Sequence, residues 1–112
     1  MLLIGRFISD EYPNVKGTLS VSCPIPLSKI SPKGVLCEVT LECQGLFYKE
    51  ATIRLFKDKG MLSGSNTEKD TQSFILSLTQ VSSSSDVNRF RGSYSTQHPV
   101  DNGSIELTER IH

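Results

Sequence analysis

The sequence predicts an all-β domain: a single antiparallel meander of about seven or eight short strands, closing into a small up-and-down barrel in preference to a β-sandwich. Three observations predict it. Apolar and polar residues alternate with a period of two in run after run, and turn-forming residues separate the runs at regular intervals. No longer window carries a capped helical period. Few connections are long enough for Greek-key crossings, which favours neighbours pairing in order.

The first run, Leu2 to Ser9, opens with Leu2, Leu3 and Ile4 in a row, which cannot all face one core. Glu11 to Asn14 is a polar connection. Gly17 to Cys23 then places Leu19, Val21 and Cys23 on one face. Pro24, Pro26 and Pro32 make Pro24 to Gly34 the longest interruption, because proline cannot donate to a strand ladder. Val35 to Cys43 alternates most strictly, so Cys37, Val39 and Leu41 are expected inside, with Glu38, Thr40 and Glu42 outside.

Gln44-Gly45 suits a tight turn before Leu46-Phe47-Tyr48, which leaves an aromatic on each strand face. Ala51 to Leu55 alternates again. Asp58-Lys59-Gly60 predicts a three-residue hairpin loop with Gly60 in the left-handed conformation. Phe74, Leu76 and Leu78 share a face, with Ile75 opposite, between polar connections at Ser65 to Gln72 and Ser82 to Asn88. Phe90, Gly92 and Tyr94 alternate with Arg89, Arg91 and Ser93. Asp101-Asn102-Gly103 reads as a turn before Ile105 and Leu107, which alternate with Glu106 and Thr108.

The chain of 112 residues suits one domain spanning 1–112. A formal net charge of zero and a pI near 6.7 provide no field that would recruit nucleic acid or an anionic membrane. The apolar start, Met1 to Gly5, is too short to span a bilayer and lacks the pattern of a signal peptide, so a cytoplasmic protein is expected. Cys23, Cys37 and Cys43 are an odd number without CxxC spacing. They are expected to be reduced, metal-free core residues.

Chemistry-bearing motifs are sparse. His98 sits beside Pro99 in an expected turn and His112 is the last residue; neither belongs to a ligand cluster. Cys37 and Cys43 share a strand face but stand about 20 Å apart along it, too far for one metal. There is no GxSxG, GxGxxG or GxxxxGK[ST], so neither a nucleophile elbow nor a phosphate cradle is indicated. No enzyme, metal or cofactor is expected. Asn102-Gly103-Ser104 fits a glycosylation acceptor, but a turn explains it. The residues singled out for binding are Phe47, Tyr48, Arg54, Arg89, Arg91 and Arg110. If the last two strands pair, Arg89, Arg91 and Arg110 converge, and arginine clusters read carboxylate or phosphate through paired hydrogen bonds.

The ending, Phe90-Arg91-Gly92-Ser93-Tyr94 followed by Pro99-Val100-Asp101-Asn102-Gly103-Ser104-Ile105-Glu106-Leu107, has a GxY…DxGxIxL rhythm. It resembles the closing hairpin of calycin-like meander barrels, the group of lipocalins and avidins, and implies their barrel topology. The N-terminal Gly-x-Trp of lipocalins has no counterpart, so no binding residue carries over.

The functional expectation is a non-catalytic module that docks on a protein partner, as an inhibitor, an immunity-type protein or an accessory subunit. The partner class includes a second copy of the chain. Leu2-Leu3-Ile4 and Ile105 to Ile111 are the expected open edges, with Phe47 or Tyr48 as anchor and the arginines as rim. The alternative is a small-ligand-binding barrel, a carrier or sequestering protein, although an inner face of Leu, Val, Cys, Ile and Phe fills a small barrel.

Overall fold

A computed structural model describes residues 1–44, 46–66, 74–84, 86–97 and 100–110. Eight strands follow in order: β1 (Leu2–Ser9), β2 (Lys16–Ser22), β3 (Val35–Cys43), β4 (Leu46–Asp58), β5 (Met61–Ser65), β6 (Phe74–Ser83), β7 (Val87–Gln97) and β8 (Val100–Arg110). Each pairs antiparallel with the next. β8 returns to β1, with Phe7 opposite Ile105, so the sheet closes into an up-and-down barrel. The edges expected at Leu2-Leu3-Ile4 and at the C-terminal strand are therefore paired with each other, and closure removes the open ladder.

The period of two decides what lies inside. In β3, Cys37, Val39 and Leu41 are at most 1% exposed, Glu38 and Glu42 are exposed, and Thr40 is half-buried. Register carries this phase around the barrel: Leu19 faces Leu41, Val21 faces Val39, and Cys37 faces Ile53. The same phase holds in β6 through Phe74, Leu76 and Leu78, each 0% exposed. Each such side chain contributes about 1.5–3 kcal/mol on leaving water. A radius of gyration of 13.3 Å matches the roughly 13 Å of one compact domain of this length.

Tight coiling requires close backbone approach at two glycines. A Cβ at Gly5 of β1 would collide with the Glu106 carbonyl oxygen on β8, and one at Gly92 of β7 with that of Ser77 on β6. Two register irregularities add curvature. Between β3 and β4, Leu41 pairs with Lys49 and Glu42 with Phe47, which skips Tyr48. Between β6 and β7 the skipped residue is Val81.

Three local expectations are corrected. Asp101, Asn102 and Gly103 are not a turn but part of β8. Gln97 already pairs with Val100, and His98 and Pro99 lie outside the described residues. Asp58 pairs with Met61, making a two-residue loop in which Lys59, not Gly60, is left-handed, at φ 55°. Gln44 is left-handed at φ 54°, whereas Gly45 lies outside the described residues, as do 67–73 of the polar connection.

The third correction concerns the cysteines. Cys23 and Cys37 form a disulfide. Because Val21 faces Val39 and Ser22 faces Glu38, the next cross-strand pair is Cys23 and Cys37. Their Cα atoms are 4.6 Å apart, within the range a bridge requires. Both are buried as expected, at 4% and 1% exposure, but they are bonded. Count and spacing could not show this, since strand register makes the pair. Cys43 is free.

Candidate functional site

The barrel holds one polar constellation at each end. The base is where β1 and β7 finish and β8 begins. Asp101, 2% exposed, is inside. Its Oδ1 accepts the Ser9 hydroxyl, and its Oδ2 accepts the hydroxyls of Tyr48 and Tyr94, each at 2.9 Å. Ser9 Oγ accepts the backbone N–H groups of Glu11 and Tyr12, leaving its own proton for Asp101. Phe7 stacks on Tyr48 with ring centroids 5.8 Å apart and meets Tyr94 edge-on at 5.7 Å. Burial, then the bonds to Asp101, raise both tyrosine pKa values, so both stay neutral donors. Three hydroxyls thus satisfy one buried carboxylate in a knot that closes the base, with Ser9 and Tyr94 buried beside it and Tyr48 half-buried at its edge.

The opposite end is open. Here a cavity of ≈ 470 Å³ lies among the ends of β4, β6, β7 and β8 and the connection after β2. That connection carries a short 3₁₀ turn, Leu27–Lys29, whose Leu27 folds over the barrel and is 6% exposed. The disulfide joins the start of this connection to β3. Leu27, Pro26, Met1 and Phe90 supply apolar walls, and Phe90 is 4% exposed.

The polar wall of the mouth is a directed chain across three strands. Gln80 Nε2 on β6 donates to Asn88 Oδ1 on β7 at 3.2 Å. Asn88 Nδ2 donates to Glu109 Oε1 on β8 at 2.8 Å. A carboxylate only accepts when ionised, so it fixes the Asn88 amide with nitrogen toward Glu109 and oxygen toward Gln80. Glu109 is 8% exposed. Lys57 and Ser28 are exposed residues on the rim. The volume falls within the range that small-molecule pockets span.

Of the residues singled out from sequence, Tyr48 belongs to the base knot. Phe47 faces Glu42 in register. Arg89 and Arg91 lie on the outer face of β7, opposite Thr108 and Glu106. Arg91 and Arg6 both pair with Glu106, at 3.3 and 3.7 Å, above an outer groove of ≈ 540 Å³. The Arg6 and Arg91 side chains are 81% and 67% exposed, where such pairs contribute little. Arg54 is on β4, away from them, and donates to the Lys33 carbonyl at 3.2 Å. Arg110 faces Val87 at the far end of β8. The structure therefore joins Arg89 and Arg91 on one face and separates Arg54 from them.

Comparison with protein-family models, curated proteins and solved structures gave no match.

The residues that sequence reasoning missed carry one common signal. Ser9, Gln80, Asn88, Tyr94, Asp101 and Glu109 are polar or part-polar side chains in phase with buried apolar neighbours. Glu109 follows Ile105 and Leu107 in steps of two, and Ser9 follows Phe7. A polar residue at an inward position is what marks each barrel end.

Proposed function

We propose that the chain is a non-catalytic binding module whose site is the barrel mouth, where it takes a small molecule. The observation that carries this reading is the ≈ 470 Å³ cavity walled by Leu27 and Phe90 and edged by the Gln80–Asn88–Glu109 chain. Barrel mouths are common places for such sites. The side chains expected to fill the barrel do fill its middle, so the ligand sits above the core rather than inside it. The Cys23–Cys37 bridge favours an oxidising compartment over the cytoplasm expected from sequence. Among the described residues, no helix is long and apolar enough to cross a membrane.

Titration with N-phenyl-1-naphthylamine, a neutral apolar fluorophore, tests the site. One saturable site per chain is expected. Ser28→Trp, on the exposed rim, should block it without lowering the melting temperature. Absence of saturable binding overturns the reading.

Docking on a protein partner is the second reading, favoured by a different observation. Leu2, Ile4 and Ile8 are 52%, 46% and 55% exposed and follow one another along the outer face of β1. Such a row supplies an apolar contact, and Arg6 with Glu106 supplies its polar border. Light scattering of pure protein against Ile4→Asp reads self-association. Capture with the same variant as control reads a foreign partner.

A further inference from the structure

We infer that the mouth selects a small amphiphile by an ammonium head seated on Glu109, with the apolar body of the ligand against Leu27 and Phe90. This inference rests on the mouth being a small-molecule site.

Glu109 is the reason. It faces inward, in phase with Ile105 and Leu107, and 92% of its surface is removed from water, since it is 8% exposed. A carboxylate in such a place calls for a counter-charge or several hydrogen bonds. Asn88 provides one N–H to Oε1. Among the described residues Glu109 is in no ion pair; the two present both involve Glu106 on the outer face. A carboxylate accepts roughly four hydrogen bonds, so most of its capacity remains for whatever occupies the cavity it lines.

The neighbouring amides strengthen the sign of this preference. The Asn88 oxygen is taken by Gln80 and its nitrogen by Glu109, so the amide is held in one orientation and adds no competing cation. A ligand N–H or ammonium therefore meets a preorganised acceptor, whereas a carboxylate meets like charge at close range. Two cations border the mouth: Lys57, on the solvated rim at the end of β4, where water and salt screen its charge, and the Met1 ammonium, which donates to the Cys23 carbonyl at 2.7 Å and is in no ion pair with Glu109. Beside the head site, Leu27 and Phe90 offer apolar surface for a ring or short alkyl chain. The base constellation cannot serve the same purpose, because Asp101 already accepts three hydroxyls.

The test is calorimetric titration near pH 7 with three probes on one skeleton: 2-phenylethylammonium, 2-phenylethanol and 3-phenylpropanoate. The ammonium should bind at least about tenfold more tightly than the alcohol, and the carboxylate most weakly. Glu109→Gln keeps the size and still accepts from Asn88, and it should bring the ammonium within about twofold of the alcohol. Glu109→Met, of similar length and without an acceptor, should likewise leave the ammonium no advantage over the alcohol. Circular dichroism confirms that each variant is folded, and if one is not, the other carries the test. Equal affinities, preference for the carboxylate, or a preference that survives Glu109→Gln overturns the inference. Binding of the fluorophore but of none of the three probes also overturns it while leaving the site in place. No binding of any probe or of the fluorophore removes the site itself.

Discussion

Tyr94 donates its hydroxyl proton to Asp101 Oδ2 at 2.9 Å, from the strand next to it, and so ties β7 to β8 at the base of the barrel. The same oxygen takes the Tyr48 hydroxyl, and Ser9 takes the other. Three donors from β1, β4 and β7 thus converge on one carboxylate of β8. Such a centre holds four strands in register at the end of the barrel where the hydrophobic interior stops.

Replacing Asp101 with Ala should therefore lower stability by about 2–4 kcal/mol, since the buried Ser9 and Tyr94 hydroxyls and the half-buried Tyr48 hydroxyl lose their acceptor. Asp101→Asn retains one acceptor oxygen and should cost less. Urea unfolding of the three proteins measures the order wild type, Asn, Ala. A small effect for Ala would mean that water replaces the carboxylate, and that the knot does not close the base.

The raised pKa values of Tyr48 and Tyr94 predict the alkaline limb. A folded-state value above the unfolded value of about 10 means that the native state holds its proton more tightly. The contribution is fully present below about pH 10 and is lost as pH rises toward the folded values. Stability should thus fall on raising the pH above about 10, because the unfolded chain releases these protons first. The Tyr48→Phe, Tyr94→Phe double variant should show a flatter fall. Urea midpoints taken at intervals between pH 8 and 11 compare the two slopes; identical slopes would exclude the tyrosines as the cause.

How much of this was legible in the sequence follows from what alternation can and cannot report. Alternation reports which side chains share a face, so Cys37, Val39 and Leu41, or Phe74, Leu76 and Leu78, could be placed inside without coordinates. It does not report register. Closure of β1 on β8 and the meeting of Cys23 with Cys37 depend on how strands slide against one another. Asp101-Asn102-Gly103 misled for a related reason. Its composition is that of a turn, but Asp101 is held inward by three hydroxyls, and Gly103 is small because the Ile8 carbonyl and the Tyr94 ring leave no room for a Cβ. The mouth was invisible because its residues come from strands far apart in sequence.

The disulfide makes a prediction opposite to the one the cysteine count suggested. Alkylation of the denatured, unreduced protein should label one thiol, Cys43, and alkylation after reduction should label three. Intact mass distinguishes the two. The bridge closes a loop with a sequence separation of 14, so Cys23→Ser with Cys37→Ser should cost about 3 kcal/mol, chiefly by freeing the unfolded chain. The same variant should weaken fluorophore binding beyond its effect on stability, because the connection carrying Leu27 loses its tether.

Tyr48 and Arg91 were expected to act alike, as anchor and rim of one docking surface, and the structure separates them. Tyr48 is the residue skipped at the bulge of β4, which lets it turn inward to Asp101 and stack on Phe7. Tyr48→Ala should cost about 3 kcal/mol through lost packing and an unpaired share of the Asp101 carboxylate, and Tyr48→Phe about 1 kcal/mol. Arg91 is on the outer face, its side chain 67% exposed and paired with a Glu106 that is itself 53% exposed. Arg91→Ala should leave stability close to wild type, since salt and water already weaken that pair. The difference is read by thermal unfolding of the three variants together. It also assigns their use: Arg91→Ala and Ile4→Asp are clean probes of the outer face, whereas a binding defect in Tyr48→Ala would report a loosened base. If Tyr48→Ala unfolds at the wild-type temperature, Tyr48 is free to serve as a surface anchor and the base knot is not what holds β4 to β8.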